Sequence, residues 1–77
     1  MPDAFSTVVL VKRLKEAGLR VTPQRLAIFS ALVTSDAHPT AQALFDQLQP
    51  ALPSLSQATV YNTLQALVTR GLVHEIG

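Results

Sequence analysis

The sequence predicts a mainly α fold of winged helix-turn-helix plan, four helices followed by a truncated wing strand. Three observations carry that expectation. Apolar residues recur at three- to four-residue spacing in four segments, hydroxyl residues and glycines bracket those segments, and the carboxyl end is a short β-branched run. A chain of 77 residues has room for one small core, so residues 1–77 are read as a single winged-helix domain.

The first helix is expected from Ser6, with Val8, Val11, Leu14 and Ala17 on one stripe and Leu10 beside it. Gly18 stops it, because glycine takes a left-handed conformation without a side-chain clash. Thr22-Pro23 reads as the next start: the hydroxyl caps free amides, and proline at the first helical position loses no hydrogen bond. Leu26, Phe29, Leu32 and Val33 form the expected buried stripe of this second helix. It ends near Val33, since Pro39 holds His38 extended. Thr40 caps a third helix with Ala41, Leu44, Phe45 and Leu48 at i, i+3, i+4 and i+7, and Pro50 and Pro53 end it. Ser56 caps the fourth, whose expected core stripe is Val60, Leu64, Leu67 and Val68, with Gly71 as its stop. Leu72 to Ile76 is expected as the wing strand, and Gly77 as the start of a hairpin turn.

Composition narrows the function classes. Apolar types make up 48% and charged types 14%, which suits a packed core and not a disordered chain. With two histidines, no cysteine and no paired acids at catalytic spacing, the sequence offers no nucleophile with a base and no thiolate metal site; no enzymatic activity is expected. No apolar run approaches the roughly 20 residues of a membrane span, so a cytoplasmic setting without a membrane partner is expected. Charge is uneven. Lys12, Arg13, Lys15, Arg20 and Arg25 are five of the six basic residues, with only Glu16 among them, whereas residues 36 to 75 carry Arg70 against Asp36, Asp46 and Glu75. Such a field steers a polyanion to one side. Lys12 and Lys15 share a helix side that Arg13 does not, which leaves Arg20 and Arg25 as the better candidates for phosphate contact.

On a 3.6-residue wheel, the face of the fourth helix opposite its core is Ala58, Thr59, Asn62, Gln65, Ala66 and Thr69, with Tyr61 on the flank. That face is small, polar and uncharged. A solvated face usually carries Lys and Glu; Asn, Gln and Thr are what a major-groove reader presents, because amides pair bidentately with adenine and Thr meets a thymine methyl.

Three motifs carry a resemblance: Gly18-Leu19-Arg20-Val21-Thr22-Pro23-Gln24-Arg25, His38-Pro39-Thr40-Ala41, and Ser56-Gln57-Ala58-Thr59-Val60-Tyr61-Asn62-Thr63-Leu64. In these the sequence resembles the amino-terminal domain of the ferric uptake regulator (Fur) family, over about Leu10 to Ile76, and looks closest to its peroxide-sensing (PerR) branch. Ferric-uptake members commonly carry Arg where this chain has Asn62. The resemblance implies the reading domain of a metal-dependent transcriptional repressor that binds a double-stranded DNA operator as a homodimer, with the dimerising and metal-holding half absent here. By the resemblance Tyr61 and Asn62 face bases in the major groove and Arg20 reaches towards the minor groove or the backbone; the DNA-binding residues expected in all are Arg20, Arg25, Ser56, Gln57, Thr59, Tyr61, Asn62 and Gln65. The resemblance matches His38 to a ligand of the regulatory metal (iron, manganese or zinc) whose co-ligands would lie beyond Gly77, so no cofactor is expected on these residues alone. The competing expectation is a protein-interaction module, since winged helices also serve as docking domains.

Overall fold

The computed structural model describes residues 6–35 and 39–73. Four helices follow in order: α1 (Thr7–Glu16), α2 (Pro23–Val33), α3 (Ala41–Leu48) and α4 (Gln57–Thr69). Each begins at a hydroxyl residue in extended conformation. Ser6, Thr22, Thr40 and Ser56 accept a hydrogen bond from the backbone N–H three residues on, at 3.4, 3.0, 3.1 and 3.0 Å. Thr22, Thr40 and Ser56 are the caps expected from sequence, and Ser6 acts in the same way.

The two expected glycine stops share one geometry. Gly18 and Gly71 have φ of 78° and 74°. After each, the chain turns so that the Leu19 N–H reaches the Leu14 carbonyl and the Leu72 N–H reaches the Leu67 carbonyl, both at 2.9 Å. This is the six-to-one bond of a Schellman turn, and it brings each following leucine back onto its own helix. Leu19 and Leu72 thereby pack against one apolar cluster of Leu10, Leu14, Phe29 and Leu67. Arg70 closes the seam between the two turns, donating from Nη1 to the Ala17 carbonyl at 2.9 Å.

A second cluster, Ile28, Leu44, Leu55, Val60 and Leu64, joins α2, α3 and α4. Thus α2 lies between two cores, with the adjacent Ile28 and Phe29 serving one each. Full burial of such side chains contributes about 1.5–3 kcal/mol apiece.

Several expected faces are rotated. On α1 the buried residues are Leu10 and Leu14, whereas Val8 is 79% exposed; the run Val8-Val9-Leu10-Val11 offers more than one stripe, and packing selects the leucines. On α2 Ile28 is buried where only one stripe was expected, because the helix is covered on two sides. On α4 Thr63 joins Val60, Leu64 and Leu67 in the interior, and Val68 is exposed. Of the expected wing strand, Leu72 and Val73 continue as a bend after α4; the remainder, with Gly77, lies outside the described residues. No helix among the described residues is long and apolar enough to cross a membrane.

Candidate nucleic-acid interface

With Val60, Thr63, Leu64 and Leu67 facing inward, α4 exposes Gln57, Ala58, Tyr61, Asn62, Gln65, Val68 and Thr69. Tyr61, at 60% exposure, lies within this arc and not on its flank as expected. Thr59 and Ala66, expected outward, are half-buried. Both differences have one cause: burial of Thr63 in place of Val68 turns the helix, bringing Tyr61 outward and Thr59 inward.

The side chains on this arc fall into two groups. Tyr61, Asn62 and Gln65 make no hydrogen bond to other described residues and carry their full bonding capacity outward. Those at the amino end are tied. Ser56 Oγ, besides capping the Thr59 N–H, lies 2.9 Å from Thr59 Oγ1, so only one of the two hydroxyl protons is left for an outside acceptor. Gln57 Nε2 donates to Gln42 Oε1 of α3 at 2.8 Å, and Gln42 Nε2 donates to Asp46 Oδ1 at 2.9 Å. One step before α4, Ser54 Oγ accepts from Gln24 Nε2 of α2 at 3.0 Å.

The two arginines separate. Arg20 is exposed in the turn between α1 and α2. Arg25 is half-buried, its Nη1 donates to the Arg20 carbonyl at 2.7 Å, and its Nε is buried without a partner among the described residues. Arg25 therefore holds the shape of the turn that presents Arg20. Lys12, Arg13 and Lys15 are exposed along α1. His38 lies outside the described residues, and among those described no three or more His, Cys, Asp or Glu side chains gather where they could hold a metal ion.

Gln24, Gln42, Asp46 and Ser54 were not among the site residues expected from sequence. The Gln42–Asp46 pair is visible locally, as an amide and a carboxylate at i and i+4 of one helix. The bonds Gln24–Ser54 and Gln42–Gln57 span 30 and 15 positions, and no local pattern signals them.

Four helices in this order, with α4 packed on α2 and α3, make up the helical part of a winged-helix domain. The chain belongs to the ferric uptake regulator family, whose profile matches residues 16–77. It is 42% identical over 66 residues to the peroxide-responsive repressor PerR of Staphylococcus aureus, covering 86% of this chain and 45% of that protein. It is 48% identical over 66 residues to the peroxide operon regulator of Bacillus subtilis, covering 86% of this chain and 46% of that protein. The fold is shared with PerR from Streptococcus pyogenes, studied for peroxide sensing and gene regulation, at a TM-score of 0.82 and 41% identity over 99% of this chain and 50% of that one. The chain thus spans about half the length of the relatives it matches.

Proposed function

We propose that residues 1–77 form the DNA-reading part of a metal-dependent, dimeric transcriptional repressor of the peroxide-response type. In this reading α4 enters the major groove with Tyr61, Asn62 and Gln65 at the base edges. Arg20 contacts the phosphate backbone, and Ser56, Gln57 and Thr59 present the amino end of the helix to the duplex. The observation that carries the reading is the exposed arc of α4: three side chains with unspent hydrogen-bonding capacity, on a helix fixed from behind by two apolar clusters. The kinship with repressors supports it. Dimerisation and metal binding are assigned to the further length that the relatives possess, with iron, manganese or zinc as the regulatory ion and His38 as one ligand from this part. The described residues do not themselves build a metal site.

Base contacts carry sequence information and phosphate contacts do not. Asn62→Ala is therefore expected to weaken binding to a duplex selected from a randomised library by about 1–3 kcal/mol, and to leave binding to a shuffled duplex unchanged. Affinity for both falls as salt rises. Binding indifferent to salt would point to a docking module for protein, and equal losses on both duplexes would refute base reading by Asn62.

A further inference from the structure

Of the residues proposed to meet DNA, Gln57 has its amide committed to a neighbour, and that neighbour is committed to a carboxylate. The chain of bonds runs Gln57 Nε2 to Gln42 Oε1 and Gln42 Nε2 to Asp46 Oδ1, at 2.8 and 2.9 Å. A side-chain amide can face a partner with either its oxygen or its nitrogen, so two amides in series have no inherent direction. A carboxylate removes the ambiguity, because it offers only acceptors. Gln42 must turn its NH₂ towards Asp46, which turns its oxygen towards Gln57. Gln57 must in turn give an N–H to Gln42, which keeps its own carbonyl oxygen and its second N–H for an outside partner.

We propose that Asp46 and Gln42 on α3 are positioning residues that set the amide orientation of Gln57 and thereby the base it selects. The inference rests on the reading of α4 as the DNA-recognition helix. The orientation it fixes presents the carbonyl acceptor beside one remaining N–H donor, the pair that meets the N6 amino group and N7 of adenine. It also gives a reason for an acid beside a polyanion-binding surface. In the free chain these exposed bonds compete with water; once a duplex excludes that water, the network is worth more and a reversed amide costs more.

The test uses the 77-residue chain and two duplexes, one selected from a randomised library and its shuffled version. Asp46→Asn replaces the acceptor-only end by a group that can face either way and removes a negative charge. Charge removal alone would tighten binding to both duplexes and leave their ratio unchanged. The relay predicts that the preference for the selected duplex falls about tenfold, the size of a lost base contact, while affinity for the shuffled duplex holds or rises. The double variant Gln42→Glu with Asp46→Asn keeps an acceptor towards Gln57 and the original net charge, and is expected to restore the preference. An unchanged preference in Asp46→Asn, in a chain whose preference Asn62→Ala does reduce, overturns the relay and leaves the DNA reading intact. Absence of any preference in the unaltered chain overturns the reading and, with it, the selection of a base by Gln57. The bond polarity is checked without DNA by the NMR signals of the Gln57 side-chain amide, which must shift in Asp46→Asn and return in the double variant. Signals that stay in place overturn the relay.

Discussion

At its carboxyl end α4 is held by apolar burial and by a closed backbone turn: Leu67 is fully buried with Leu10, Leu14 and Phe29, and Gly71 folds Leu72 back onto it. At its amino end the side chains that reach other helices at the surface are amides and a hydroxyl, with Gln57 bonded to Gln42 and Ser54 to Gln24. Apolar contacts are non-directional, so they fix where a helix lies while tolerating small rotations. Hydrogen bonds fix orientation and leave their owners in reach of a ligand. One helix therefore has a stabilising end and a presenting end.

The sharpest way to break this comparison is Leu67→Ala. A fully buried leucine so truncated costs about 2–5 kcal/mol, a large share of the roughly 5–15 kcal/mol that holds a small domain. Urea or thermal unfolding is expected to show that loss, and one below about 1 kcal/mol would mean that the carboxyl end is not the anchor. Gly71→Ala probes the same end through the backbone. Among the described residues, chain neighbours aside, no atom lies within 4 Å of an added Cβ, so it is the left-handed conformation at φ 74° that resists it. A loss of about 1–2 kcal/mol in the same measurement is expected. The smallest effect on the fold belongs to the presenting side. Arg20→Ala is expected to leave the unfolding midpoint unchanged and to lower the salt slope of duplex binding by about one phosphate contact. Arg25→Ala is expected to shift both, because its guanidinium holds the Arg20 carbonyl.

What was legible in the sequence follows the range of the interaction. The helix starts at Thr22, Thr40 and Ser56 and the stops at Gly18 and Gly71 act within a few residues, and the structure places each as expected. The rotation of each helix depends on what lies opposite. Val8 and Val68 satisfied the periodicity and yet face outward, while Ile28 and Thr63 are interior, because α2 is covered on two sides and α4 turns to seat Thr63. In the candidate site, Asn62 and Gln65 were readable as an outward polar face. The central place of Tyr61, the half-burial of Arg25 and the tie between Gln57 and α3 depend on packing between helices, and periodicity along one helix does not encode it.

The bond from Arg70 to the Ala17 carbonyl joins positions 53 residues apart, near the far ends of the described chain. Helices with their own capping signals can form on local information, but a contact of this span must first meet the entropy of closing the intervening loop. The seam between α1 and α4 therefore closes the longest loop of any side-chain hydrogen bond among the described residues, and any breathing of the anchored end must part it. The Leu19 and Leu72 amides, whose bonds turn the chain on either side of it, mark where such breathing will be felt as hydrogen exchange. Leu14 and Leu67 lie behind that seam, whereas Val60 and Leu64 belong to the other cluster, packed with α2 and α3. The amino end of α4 therefore has a separate apolar cluster behind it, which the seam does not enter.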